Sequence, residues 1–139
     1  MILPEDFLDA HERHYDDAQS LYAQRRWANA DHLFGIAAEC GLKTLTVNFK
    51  GAPLAKNERR HVSEASKPLD AWDIFESYRS GHVMAGRFAL PVANPFANWD
   101  VSQRYARQSH FDQAVVDPHR DGANIVKNLI NTARMEGLV

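Results

Sequence analysis

Arg104 and His110 are the residues whose types and spacing most directly suggest chemistry, since five residues separate them in the stretch RYARQSHF. Metal-independent RNA cleavage needs a base for the 2′-hydroxyl, an acid for the leaving oxygen and a cation for the charge on phosphorus. Histidine suits the acid and base roles near neutral pH, and arginine stays charged and can grip two oxygens. One interpretation of the pair is therefore a phosphodiester-cleaving site.

The same stretch also fits a structural role. Phe96, Trp99 and Tyr105 can anchor an irregular connection to a helical core, while Arg104 donates to loop carbonyls that otherwise lack partners. On one continuous helix, six positions would separate Arg104 from His110 by roughly 120°, so catalysis requires a break or a second subunit. A third interpretation is binding without catalysis, in which Tyr105 and Arg107 contact the ligand.

Other polar residues are weaker candidates. His119 and Arg120 follow the pair Asp117–Pro118, where a helix start could hold a phosphate with its backbone N–H groups, although a surface turn explains them as well. His11, His14 and Asp17 could present metal ligands along one helix. His11 also belongs to an apolar stripe, which favours a packed, hydrogen-bonded histidine. We therefore expect no metal and no cofactor.

Most enzyme classes have no supporting motif in the sequence. The chain has no Gly-rich phosphate loop, no H-E-x-x-H, no paired-cysteine metal motif and no nucleophilic serine elbow. The densest basic run is Arg59, Arg60 and His61, which we interpret as a solvated helix start.

Composition predicts one ordinary globular domain over residues 1–139, with 45% hydrophobic and 24% charged residues. No run approaches the roughly 18 apolar residues of a membrane span, and the acidic N-terminal stretch does not resemble a signal peptide, so a cytoplasmic protein is expected. The single cysteine, Cys40, is predicted to be a small core residue. The net charge of −2 means that any polyanion site must be local.

Two strong helical patterns occupy the first third of the chain. The positions Leu8, His11, Tyr15, Ala18 and Tyr22 form one stripe, which predicts a helix from Pro4 to Gln24 with Pro4 in its first turn. A second helix, beginning near Trp27, is apolar around most of its girth and should be central. The small residues of this helix predict a close approach by a neighbouring helix, above all at Gly41. These small residues are Gly35, Ala37, Ala38 and Gly41.

The later elements are marked mainly by proline and glycine. Residues 48–57 are predicted to form a loop, Pro68 to begin another helix that ends near Gly81, and Asp117 with Pro118 to begin the last helix, which ends near Gly137. Residues 82–100 contain HVMAGRFAL, which could extend or restart a helix before Pro91 and Pro95 enforce an irregular connection.

No sustained period-two alternation appears, so the predicted fold is all-α, with about four or five helices. The first two helices should form an antiparallel hairpin, and the last helix should pack against it.

Two segments resemble a known family. Residues 9–45 resemble the first helical hairpin of HEPN domains (higher eukaryotes and prokaryotes nucleotide-binding); their sequence is DAHERHYDDAQSLYAQRRWANADHLFGIAAECGLKTL. In that hairpin an acidic residue and then a lysine lie near the end of the second helix, and Glu39 and Lys43 match them. RYARQSHFDQAVVDPHRDGANIVKNLI, at residues 104–130, resembles the C-terminal segment, in which an arginine motif leads into the last core helix.

The resemblance implies an antiparallel helical bundle, commonly a homodimer. Such domains occur in RNA-cleaving toxins, in partners of small nucleotidyltransferases and in versions with no known catalytic role. Family ribonucleases carry an arginine, four to six residues and a histidine, which Arg104 and His110 match. Two hypotheses follow. The chain is either a noncatalytic module that binds RNA, nucleotide or a nucleotidyltransferase partner, or a metal-independent ribonuclease with Arg104 and His110 at a dimer cleft.

Overall fold

The computed structural model describes residues 2–139 and contains four α-helices and no β-strand in that range. The helices are α1 (Phe7–Ala23), α2 (Trp27–Lys50), α3 (Ala71–Arg79) and α4 (Gln113–Met135). α1 and α2 form an antiparallel hairpin, and α2 also packs against α4 and α3. The predicted all-α bundle and the central position of the second helix are therefore confirmed.

Helix α1 buries the predicted stripe, since His11, Tyr15 and Ala18 all face the interior. Its predicted start at Pro4 is wrong. Asp6 is the N-cap, and its carboxylate accepts a hydrogen bond from the Asp9 backbone N–H at 3.0 Å. A carboxylate at the N-cap stabilises a helix start because it accepts a hydrogen bond from a free N–H group, whereas a proline is only compatible with the first turn.

Helix α2 is buried along most of its length and brings its neighbours very close at Gly41. A Cβ atom on Gly41 would lie 2.5 Å from Val126 Cγ1 and 2.8 Å from His11 Nδ1, so α4 and α1 both depend on this glycine. The close approach predicted at Gly41 is confirmed, and Cys40 is buried as expected. The helix continues to Lys50, beyond the predicted loop start at residue 48, and Gly51 ends it in the left-handed conformation with a φ of 73°.

The predicted starts of the third and last helices are also wrong. Asp70, rather than Pro68, caps α3. Asp112 caps α4 by accepting from Val115 N at 3.0 Å, and Pro118 lies inside that helix. Asp117 instead accepts a hydrogen bond from the Tyr22 hydroxyl at 2.6 Å.

Four short 3₁₀ turns lie between the longer helices, at Lys56–Glu58, Ala85–Arg87, Val101–Tyr105 and Gln108–His110. The connection from α3 to α4 is otherwise irregular, so HVMAGRFAL neither extends α3 nor restarts an α-helix. Phe88, Phe96 and Trp99 from this connection are buried in the same core as the helices. Within residues 2–139, none of the helices has the length and apolar character needed to cross a membrane.

Candidate functional site

The predicted pair Arg104 and His110 lies on two separate 3₁₀ turns, and both side chains are exposed. Asp100 begins the first turn by accepting from Ser102 N at 2.8 Å, and this hydrogen bonding lowers the pKa of the Asp100 carboxyl. The backbone is extended at Ala106 and Arg107, between the turns. The break that a shared site requires is therefore present, and the angular separation of a continuous helix does not apply.

A buried polar cluster holds the beginning of this segment against α2 and α4. Asp31 is fully buried, and its carboxylate receives hydrogen bonds from His119 Nδ1 at 2.6 Å and from Gln103 Nε2 at 2.5 Å. The Trp99 indole donates to the Asp31 carbonyl at 3.1 Å. The second ring nitrogen of His119 lies 2.7 Å from Asn98 Oδ1. Both ring nitrogens thus face oxygen acceptors, which fixes the ring in place.

The geometry around Asp31 corrects the interpretation of His119 and Arg120. Neither residue lies at the beginning of α4, because the helix begins at Gln113. His119 is 1% exposed and is committed to Asp31. Arg120 donates to Gln19 Oε1 at 2.9 Å and lies 4.1 Å from the Tyr22 ring centroid, so it joins α4 to α1. A phosphate site at these residues is not supported.

The residues 104–110 present their side chains to solvent. Arg104 donates to the Val101 carbonyl at 3.1 Å, and its guanidinium lies 4.7 Å from the centroid of the Tyr105 ring. Tyr105 is 80% exposed, so its predicted role as an anchor is wrong, whereas Phe96 and Trp99 are anchors as predicted. Arg107 and Gln108 are exposed as well. The segment therefore offers cations next to an accessible aromatic ring.

A pocket of about 200 Å³ joins this segment to the beginning of α2. Arg26, Ala28 and Asn29 line one side, and Ala106 and Gln108 line the other. Arg26 is the N-cap residue of α2, but its side chain makes no capping hydrogen bond. The free N–H groups of the first turn therefore add partial positive charge beside the Arg26 guanidinium.

His32, next to Asp31 on α2, is a residue that sequence reasoning missed. Its ring stacks on Trp99 with the centroids 5.9 Å apart and the planes 10° from parallel. Burial lowers the pKa of His32, and the positive charge of Arg104 lowers it further, so Arg104 lies within electrostatic reach. Among the described residues, His32 Nδ1 is the one enclosed side-chain polar atom without a hydrogen-bond partner. No local pattern relates position 32 to position 104.

A second buried carboxylate on α2 belongs to Glu39, which pairs with Lys43 four residues later. Glu39 is buried, and it accepts hydrogen bonds from Lys43 Nζ at 2.8 Å and from His61 Nδ1 at 2.7 Å. Burial raises the pKa of Glu39, but these partners outweigh burial and hold it below its ordinary value. The basic run is not a helix start, because residues 59–61 lie outside the helices. Arg59 pairs with Glu5, and His61 pairs with Glu39.

The interpretation of His11 as a packed histidine is confirmed, since it is 1% exposed and its Nδ1 lies 2.8 Å from the Ala37 carbonyl. In residues 2–139 no three His, Cys, Asp or Glu side chains are grouped in a way that could hold a metal ion. Comparison of the chain with family models, with known proteins and with solved structures gives no match.

Proposed function

We propose that this chain is a HEPN-like, noncatalytic module that binds RNA or nucleotide through the display segment, residues 104–110, together with Arg26. The observation that carries the proposal is the pairing of Arg104 with Tyr105, which is the one exposed aromatic residue among residues 2–139. An accessible ring next to cations matches the stacking platform of single-strand binders. The resemblance of residues 104–130 to the HEPN C-terminal segment supports the same assignment.

The charge distribution favours local, salt-sensitive binding. The whole chain carries a formal net charge of −2, whereas Arg26, Arg104 and Arg107 lie around one pocket or in the adjoining segment. Arg104 makes no ion pair with a carboxylate in the described part of the chain. A phosphate can therefore approach its guanidinium without displacing an acidic partner.

Fluorescence anisotropy with a short single-stranded RNA at low salt tests this function. Tyr105→Ala should weaken binding about 5- to 100-fold, because a base stacked on an aromatic ring contributes about 1 to 3 kcal/mol. Arg104→Gln should weaken binding and reduce its salt dependence. Arg87→Gln is the matched control, since Arg87 is exposed but pairs with Glu136 beyond the far end of α4. Equal affinities of the parent and Tyr105→Ala would exclude this surface.

A ribonuclease is the second candidate, because Arg104 and His110 are both exposed on either side of a backbone break. In that case the purified chain should cleave RNA in the presence of a chelator. Arg104→Ala and His110→Ala should each lower the rate about 100-fold or more while remaining folded. Absence of cleavage, together with RNA binding by the parent, would favour the noncatalytic module.

The resemblance further suggests a homodimer and a nucleotidyltransferase partner, in a toxin–antitoxin or defence-type system. Three Trp, seven Phe and four Tyr also predict aromatic surface that an interface would cover. The structure does not support this argument, because all of these side chains except Tyr105 are buried or half-buried in the monomer. Sedimentation at micromolar concentration tests the dimer, and a single species of 15.7 kDa would argue against it. Co-expression with a nucleotidyltransferase encoded beside this chain tests the heteromeric complex by co-purification.

A further inference from the structure

A second pocket, separate from the display segment, lies between α1 and α4 and encloses about 190 Å³. Its inner wall contains the buried residues His11, Tyr15 and Ile130. The Tyr15 hydroxyl already has two partners, since it donates to Asn124 and accepts from Gln19. The unassigned polar group of the inner wall is therefore His11.

The hydrogen bond of His11 determines which of its nitrogens faces the pocket. A carbonyl oxygen can only accept, so Nδ1 carries a proton and donates to Ala37. Burial lowers the pKa of His11, and the charges of Arg134 and Lys127 lower it further, so Nε2 keeps its lone pair near neutral pH. Within residues 2–139, Nε2 has no hydrogen-bond partner. It is not one of the fully enclosed polar atoms that lack a partner, so it is accessible, and it borders the pocket that His11 lines.

The charged residues around the pocket are only partly paired with one another. Glu12 and Arg134 form an ion pair and neutralise each other. Lys127 lies 4.3 Å from the Tyr15 ring centroid, and within the described chain neither Lys127 nor Asp16 makes an ion pair. One positive and one negative group therefore remain available, together with a neutral acceptor at Nε2.

We propose that this pocket binds a small zwitterion, namely a free amino acid with a small side chain. The ligand's ammonium group donates to His11 Nε2 and approaches Asp16, while its carboxylate approaches Lys127 and the Asn131 amide, which also lines the pocket. The volume agrees with this class, because a cavity of about 150 Å³ holds benzene and a slightly larger one holds about six to eight non-hydrogen atoms. The balanced charges disfavour a simple anion or cation.

Calorimetric titration of the full chain with glycine and L-alanine tests the ligand class. Acetate and methylammonium, at matched ionic strength, each supply one half of the ligand. We expect saturable binding of an amino acid and binding at least about tenfold weaker for each half, since each end contributes a charged hydrogen bond. Acetate that binds as tightly as glycine, or an absence of binding by both amino acids, would overturn the proposal.

Variants on the outer wall connect the binding to this pocket. Asp16→Asn and Lys127→Met should each weaken amino-acid binding at least about tenfold. Asp17→Asn is the matched control, because Asp17 is an exposed neighbour that does not line the pocket. In a long-range ¹H–¹⁵N spectrum, His11 Nε2 should be unprotonated in the free chain and should shift when glycine is added. A protonated Nε2 in the free chain, or equal weakening by Asp17→Asn and Asp16→Asn, would contradict the assignment.

Discussion

Residues 94–110, in the later part of the connection between α3 and α4, form two halves that use their side chains in opposite ways. In residues 94–103, Phe96 and Trp99 are buried, while Asn94 and Gln103 bond to groups on other elements. In residues 104–110, every residue is exposed. The first half anchors the connection to the core, and the second half presents its side chains to solvent. The position of these side chains is therefore determined by buried residues that lie outside the display segment.

The display segment satisfies its backbone with local hydrogen bonds. Ala106 N donates to the Gln103 carbonyl at 3.0 Å, and His110 N donates to the Arg107 carbonyl at 3.1 Å. Phe111 N donates to the Gln108 carbonyl at 3.0 Å. Because these 3₁₀ turns need few side chains to hold them, Arg107 and His110 stay free for contact with a ligand.

The largest effect is expected from removing the carboxylate that holds the anchoring half. Asp31→Ala leaves His119 and Gln103 without their buried acceptor, and each buried polar group left unpaired costs about 1 to 3 kcal/mol in the free energy of unfolding. Urea unfolding followed by far-UV circular dichroism measures this loss, with the exposed Asp17→Ala as control. A loss below about 1 kcal/mol would mean that the network does not hold the segment.

A smaller but still large effect is expected at Gly35, on which Trp99 lies. A Cβ atom at this position would fall inside the contact distance of the indole ring. Gly35→Ala should therefore displace Trp99 and cost about 1 to 3 kcal/mol, although alanine favours a helix. Gly86→Ala is the control, because nothing lies within 4 Å of a Cβ added there. Unfolding curves and tryptophan fluorescence together report the displacement, and an unshifted emission spectrum would contradict it.

These two sites show what the sequence could not predict. Asp31 and His119 are 88 residues apart, and no periodic pattern connects a buried aspartate to a histidine on another helix. In the sequence Gly35 is one small residue among several. In the structure a side chain at this position is excluded by the ring of Trp99, which lies far along the chain. Periodicity reports which face of a helix is buried, but it does not report which partner covers that face.

The sequence predicts that the helices exist, but it does not predict the residues at which they begin. The stripes that predicted α1 and α2 depend on spacing over a few turns, which the sequence carries directly. Each start assigned to Pro4, Pro68 or Pro118 was wrong, because an aspartate at another position caps the helix; these aspartates are Asp6, Asp70 and Asp112. Neither the helical spacing nor the prolines predict that Arg104 and His110 are exposed, because two 3₁₀ turns determine their positions.

The pair of His61 and Glu39 is an intermediate case between anchoring and display. His61 is 35% exposed at its side chain and bonds to buried Glu39, and this hydrogen bond raises the pKa of His61 above its ordinary value. A raised pKa stabilises the fold fully below about pH 6.5, and the stabilisation is lost as the pH rises through the folded-state value. The lowered pKa of Glu39 keeps its carboxylate charged at that pH.

We therefore expect His61→Gln to cost about 0.5 to 1 kcal/mol near pH 6, a modest value because solvent screens a partly exposed pair. The difference from the parent should shrink as the pH rises through the raised folded-state pKa of His61, because the imidazolium then deprotonates. Urea unfolding at several pH values measures the difference, and the parent supplies the correction for other titrating groups. A difference that grows with rising pH would have the wrong sign for this pair.

The smallest effect on folding is expected at Arg104. A buried arginine that satisfied loop carbonyls would cost about 1 to 3 kcal/mol when truncated. In the structure Arg104 is exposed and makes one hydrogen bond to Val101, three residues earlier, so we expect Arg104→Ala to change the free energy of unfolding by no more than about 0.5 kcal/mol. The same variant should weaken RNA binding, because it removes the guanidinium that lies against the exposed Tyr105 ring. Unfolding and anisotropy measured on one preparation separate the two effects. A folding loss near that of Gly35→Ala would show that residue 104 belongs to the anchoring half, and the boundary between the halves would then move beyond Tyr105.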